Sequence, residues 1–177
     1  DALRDGLHDE LKDAGYQDGK SLHWAYQSAQ GNQGTAVQIA RKFVGDRPDV
    51  IVPIATPAAQ AVVSATHQIP VVYNAITDPI AAQIVKSMAP SGTNVTGVSD
   101  RLEPGRQVEL IRKIVPSVKT VGMIYNPAEA NSKVAVNEMK AALSKAGIEL
   151  VEAAAPPFGR CGSGGTPAGG QGRSHLH

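Results

Sequence analysis

Apolar and polar positions along this chain alternate in two different periods, which predict a series of helices and strands. Leu3, Leu7 and Leu11 fall on one side of a helix over residues 1–14, and Gly15 suits its end. A strand normally precedes such a helix in an α/β chain, so the natural start is expected upstream of Asp1. Leu22-His23-Trp24-Ala25-Tyr26 alternates as a strand. A polar loop then leads to a helix over 35–44 with Val37, Ala40, Phe43 and Val44 on one side. Residues 50–54, Val-Ile-Val-Pro-Ile, predict a short strand buried on both faces. Thr56 then reads as a helix N-cap, Pro57 as the first helical residue, and 58–65 as the helix.

The same arrangement follows again. Residues 69–75 predict a strand, and Asp78 and Pro79 cap and open a helix over 80–88. Residues 95–98 form a short strand. Val108, Ile111, Ile114 and Val115 give one face to a helix over 103–115, stopped by Pro116. Residues 120–125 predict an apolar strand, 126–132 a polar turn, and 133–146 a helix buried through Val136, Met139 and Leu143. Gly147 ends that helix and 148–152 is the last strand.

Strands and helices in alternation with short connections specify an α/β fold with parallel sheets and right-handed crossovers. The series occurs twice. A first lobe is expected over 1–98, a crossing at 99–102 and part of a second lobe over 103–155. Residues 156–177 carry seven glycines beginning at Gly159 and have no apolar period. Such a segment cannot bury enough surface to offset its ordering entropy. It reads as the product of a shifted frame, with a flexible linker as the alternative, because it interrupts a series that ought to continue.

Composition narrows the function classes. Hydrophobic residues make up 42% and charged residues 19% of 177, enough for a sizeable core. Net charge is +1 with the signs interspersed, and aromatics are only 4%. Neither favours a nucleic-acid or membrane partner. A single cysteine, Cys161, excludes an internal disulfide and a cysteine-rich metal site. His8, His23 and His67 lack metal-ligand spacing and read as surface or edge residues. No glycine-rich nucleotide loop, P-loop or nucleophile elbow is present, so no enzyme and no cofactor is expected.

Four motifs in order carry a resemblance. Ala-Thr-Pro-Ala-Ala-Gln (55–60), Pro-Val-Val-Tyr-Asn-Ala-Ile-Thr-Asp-Pro (70–79), Asn-Val-Thr-Gly-Val-Ser-Asp (94–100) and Asn-Pro-Ala-Glu-Ala-Asn-Ser (126–132) resemble the ABC transporter substrate-binding proteins. The branch most like it binds aromatic amino acids. The resemblance covers residues 1–155. It implies a two-lobed type I periplasmic-binding fold whose first strand and distal part are absent here, with ligand held between lobes that close on it. It also implies an amino-acid-like ligand, ABC permease partners, a monomer, and a periplasmic or lipid-anchored extracellular location.

The same resemblance assigns candidate ligand contacts. Thr56 and Ala58 match the position that holds a carboxylate, Asp78 the second loop of that lobe, and Glu129, Asn131 and Ser132 the loop of the opposing lobe. Tyr73 and Tyr125 end strands near this cleft, where they would stack on an aromatic ligand or simply pack with a wet hydroxyl. The plainer readings are that Thr56 and Asp78 only cap helices and that Glu129 and Ser132 are ordinary turn residues. Trp24 reads as packing. Two other classes stay open at this point: the effector-sensing domain of a transcription regulator, and a Rossmann-like enzyme without its nucleotide loop.

Overall fold

The computed structural model describes residues 2–89 and 92–155. Its elements run α1 (Ala2–Asp13), α2 (Gln33–Asp46), α3 (Thr56–Ala65), β1 (Val71–Ile76), β2 (Val95–Ser99), α4 (Pro104–Ile114), β3 (Thr120–Tyr125), α5 (Ala130–Lys145) and β4 (Glu149–Ala154). All nine stand in the expected order, with ends shifted by at most three residues. The expectations for 156–177, Cys161 included, lie outside the described residues.

The first core forms where α2 lies against α3 and α3 against β1. Asn32 starts α2 by accepting the Thr35 N–H on its side-chain oxygen at 2.9 Å, which satisfies one of the helix's free donors. Ala36 and Ala40 are buried on the inner face, beside Ala59, Ala61 and Val62 of α3. Small residues at that contact let the two helices approach closely. Val71, Tyr73 and Ile76 of β1 complete the core, with Val95 from β2.

Residues 51–54 run parallel to β1, but they do not form the continuous strand expected. Ile51 N–H donates to Pro70 C=O (2.9 Å), Val72 N–H to Ile51 C=O (3.0 Å), Asn74 N–H to Pro53 C=O (3.0 Å) and Ala55 N–H to Asn74 C=O (3.0 Å). One rung is missing because Pro53 has no N–H to give. The ladder is thus reduced to two bridges, Ile51↔Val71 and Ile54↔Asn74. Val50, at its start, is exposed. The resulting order across the sheet is 51–54, β1, β2, all parallel.

Two other expected elements are absent. The 22–26 segment makes no strand; it has only a bridge from Asp18 to Leu22, since no described strand lies alongside to pair with it. The helix expected over 80–88 stops after one turn. Asp78 starts it as anticipated, and Ala82 N–H reaches Asp78 C=O at 3.0 Å. Gln83 then turns left-handed, at φ 58°. Gln60 of α3 donates to the Ala82 carbonyl at 3.0 Å, replacing the partner a longer helix would have supplied. Buried Ala82 and Ile84 anchor the turn to the core.

The second core is smaller. β3 and β4 pair in parallel from Thr120↔Glu149 to Tyr125↔Ala154. Helix α5 covers one face of this pair through Met139 and Leu143, joined by Val108 of α4 and by Ile148. Gly147, at φ 69°, makes the left-handed turn from α5 into β4, and Ile148 N–H closes back on Leu143 C=O. Element packing is concentrated within each group: α2 with α3, α3 with β1, β1 with β2; then α4 with α5, α5 with β3 and β4, β3 with β4. Helix α1 buries no residue. It meets the rest through His8, whose ring stands edge-on to Trp24 at 5.5 Å, and through Arg4 over the Tyr26 ring at 5.1 Å.

Candidate functional site

The first group of candidates lies at the carboxyl ends of residues 51–54 and β1. Thr56 is not the N-cap of α3: it is the first helical residue, and Ala55 occupies the cap position with φ 70° and ψ 155°. No side chain caps this helix. The Thr56 and Ala58 N–H groups therefore have no carbonyl four residues back within the helix, and Pro57 carries no N–H. Together with the helix dipole they make an anion-favouring edge. Thr56 itself is only 2% exposed.

Backbone strain collects at this edge. Ala55 lies in a region that glycine almost alone occupies, and Ala75 is left-handed at φ 55°. Each costs on the order of 1–3 kcal/mol. The Ile54↔Asn74 bridge sets the two alanines side by side at the strand ends. Ala75 sits in a bulge, where β1 spends three residues from Tyr73 to Ile76 against two from Gly97 to Ser99 in β2. Sequence reading missed both positions, because alanine carries no turn signal. The ladder over-determines them: Ala55 N–H is held by Asn74 C=O on one side and α3 begins on the other.

Asp78 lies on the same edge. Its Oδ1 accepts the Ile80 N–H at 3.0 Å and the Ala81 N–H at 2.9 Å. The capping half of its expected roles is therefore present, although the turn it caps is short. Tyr73 departs from the expectation of a half-wet ring. It is 3% exposed and faces Gly97, where an added Cβ would stand 2.5 Å from its ring carbon. Stacking on a ligand would require it to leave the core.

The second group of candidates follows β3. Tyr125 ends the strand, partly buried. Asn126 Oδ1 accepts the Ala128 N–H at 3.0 Å and its Nδ2 donates to Glu129 Oε1 at 2.9 Å. Ser132 Oγ donates to Glu129 Oε2 at 3.4 Å. Asn131 and Ser132 are in the first turn of α5, not in a loop, because the helix begins at Ala130, three residues earlier than the apolar pattern indicated. Glu129 stands at the cap position with its carboxylate tied to its own neighbours, and it makes no side-chain bond to the helix backbone. The organising role of Asn126 was legible only as an Asn-Pro turn.

Among these groups Asn131 is set apart. Its Oδ1 is buried without a hydrogen-bond partner among the described residues. A buried acceptor left unpaired costs roughly 1–3 kcal/mol. Thr56, Ala58 and Asp78 are thus assembled on one core, and Glu129, Asn131 and Ser132 on the other. Two cavities, of about 410 Å³ beside α1 and about 430 Å³ between α5 and β4, are lined by none of them. Among the described residues no group of three or more His, Cys, Asp or Glu is placed to hold a metal ion.

The uncapped start of α3 makes the first core's strand-to-helix edge anion-favouring, whereas Glu129 places a carboxylate at the start of α5 on the second core. Comparison with known proteins identifies the chain's family. The family model for ABC transporter substrate binding protein matches residues 1–159. The chain belongs to that family. It is 41% identical over 152 residues to the tyrosine-binding protein of Clostridioides difficile (strain R20291), covering 86% of this chain and 44% of that one. A crystal structure of a conserved domain protein from Vibrio cholerae superposes with a TM-score of 0.86 at 53% identity, covering 87% of this chain and 52% of the other. An ABC domain from Streptococcus pneumonia, solved in complex with L-Trp, gives a TM-score of 0.82 at 42% identity, covering 86% and 51%. The chain therefore spans about half the length of the relatives it matches. The family match bears out the substrate-binding class, and the tyrosine-binding and L-Trp-bound relatives are consistent with the aromatic amino-acid branch.

Proposed function

We propose that this chain supplies ligand-contacting walls of an ABC importer's substrate-binding protein for an amino acid with an aromatic side chain. The observation that carries the reading is the orphaned Asn131 Oδ1 at the start of α5. A buried acceptor without a donor suits a ligand that brings one, and an α-ammonium group does so. The opposing edge offers what the other end of an amino acid needs: the free Thr56 and Ala58 amides at the positive end of α3. Asp78, Glu129 and Ser132 then border the ligand while holding their own turns. Tyr73 acts as a packed floor, and the aromatic preference rests on the tyrosine- and L-Trp-binding relatives.

In this reading residues 1–98 and 103–155 belong to two lobes joined at 99–102, and ligand stabilises their closure. The closed form meets permease subunits, as a monomer, outside the cytoplasmic membrane. No described helix is long and apolar enough to cross a membrane.

The test is an amide chemical-shift titration of the 177-residue chain with L-Trp, tryptamine and indole-3-propionate. L-Trp is expected to move the Thr56, Ala58, Asn131 and Ser132 amides. Tryptamine should leave Thr56 and Ala58 unmoved, and indole-3-propionate should leave Asn131 unmoved. Shifts confined to the cavity beside α1, or identical shifts with all three compounds, would discard the proposal.

A further inference from the structure

The backbone passes from the first core to the second once among the described residues, after Ser99 and before Pro104, and residues 100–103 are exposed along that passage. Exposed backbone of this kind holds no fixed angle between two packed bodies unless side chains pin it. Here they do, at both ends. Ser99 Oγ donates to the Thr77 carbonyl at 3.2 Å and accepts the Arg101 N–H at 3.3 Å, and Asp100 N–H donates to the Ile76 carbonyl at 3.2 Å. The passage is thereby fastened to the loop that carries Asp78. On the far side the Arg101 guanidinium pairs with Glu138 of α5. Glu138 lies two turns from Asn131 along the same helix.

We infer that Arg101 and Glu138 form a clasp that sets the resting angle between the two cores. Ser99 anchors the passage to the first core and Glu138 anchors it to the second, so the ion pair completes a connection that backbone bonds begin. Arg101 suits the task because its planar guanidinium keeps a defined direction toward a carboxylate. The pair is unequally exposed, 59% for the Arg101 side chain and 23% for Glu138. Its strength is therefore modest and salt-sensitive, as an adjustable clasp requires. Cutting it leaves the Ser99 anchor and both cores intact, because neither residue belongs to a buried cluster. The clasp acts without ligand, so its failure and that of the binding proposal are separable.

Spin labels at Gln38→Cys on α2 and Lys145→Cys on α5, both exposed positions, in a Cys161→Ser background, report the distance distribution between the cores. Arg101→Ala and Glu138→Gln should each shift population from the main distance into a broader set, by roughly two- to fivefold for an exposed pair. The exchange Arg101→Glu with Glu138→Arg should restore the narrow distribution. Molar NaCl should broaden the distribution of the unmutated pair and leave Arg101→Ala unchanged. Amide spectra of the two cores serve as the folding control, and the salt comparison within the unmutated pair stands if a variant unfolds. Equal widths in all variants and at all salt concentrations would overturn the clasp. So would broadening by Arg101→Ala that the exchange does not repair.

Discussion

The two cores use the same strand–helix alphabet but bury their sheets to different depths. In the first, β1 is flanked by residues 51–54 on one side and β2 on the other, and Val71 and Ile76 are fully buried. In the second, among the described residues, β3 and β4 pair only with each other, and α5 covers one face. The register puts Gly122, Ile124, Val151 and Ala153 on the opposite face, where Ile124 is 76% exposed. Parallel sheets in α/β proteins are ordinarily covered on both faces. The contrast shows that a parallel pair becomes a core only through what lies above and below it; pairing alone supplies the frame.

The largest effect that separates the cores is expected at Gly97. An alanine Cβ there would stand 2.1 Å from the Tyr73 carbonyl oxygen, a backbone atom that cannot rotate away. Gly97→Ala should cost about 3 kcal/mol or more by overpacking and opening the β1–β2 pair. Hydrogen exchange should show the first core losing protection while β3 and β4 keep theirs. Equal loss in both would mean that the cores fold as one unit.

Leu143→Ala removes the fully buried side chain at the centre of the second core. A loss of roughly 2–5 kcal/mol is expected from the cavity left behind. With so small a core this should unfold α5, β3 and β4 at urea concentrations where α2, α3 and β1 remain protected. Ile76→Val in the first core is the counterpart, at about 0.5–1.5 kcal/mol. If Leu143→Ala exposes α2, α3 and β1 at the same urea concentration as α5, β3 and β4, the two cores do not unfold separately.

A gain is expected at the strained edge. Ala55→Gly relieves the unfavourable backbone and gives back part of the benefit as unfolded-chain entropy. The net should be about 1 kcal/mol of added stability by urea titration. Unchanged or lower stability would show that the site tolerates Ala55 without strain.

The smallest effects belong to exposed groups of the second core. Ile124→Thr should alter stability by less than about 0.5 kcal/mol, since it removes nothing from a core. Lys140 donates to Glu152 at 2.8 Å, and that hydrogen bond, followed by the charge of Glu152, raises the lysine's pKa above its ordinary value of 10.5. A raised pKa adds stability that is fully present below 10.5 and lost as pH rises through the folded value. Thermal melts should therefore show a small fall in Tm above that pH, absent in Lys140→Met. A parallel pH response in both proteins would assign the fall elsewhere.

Much of this was legible along the chain because it depends on local chemistry. The leucine stripe of α1, the Asn-Pro and Gly punctuation around α5, and Asp78 as a cap are each encoded within a few residues. The misses have a different character. The 22–26 segment alternates like a strand yet has no described strand to pair with, and Gln83 is a helix-tolerant residue turned left-handed between Ala82 and Ile84, both buried in the first core. Thr56 has the chemistry of an N-cap but is one position inside the helix, displaced by the ladder bond that holds Ala55.

By itself, then, the sequence determined the α/β alternation, the edge at Thr56 and Ala58, and the family motifs. Each follows from propensity, periodicity or residue order within a short window. Tertiary structure alone decided that Ala55 and Ala75 would be strained, that Tyr73 would be sealed against Gly97, and that Asn131 would have a buried oxygen unanswered among the described residues. Those outcomes arise because hydrogen bonds and van der Waals contacts between distant segments outweigh the one or two kcal/mol by which a single residue prefers its own conformation.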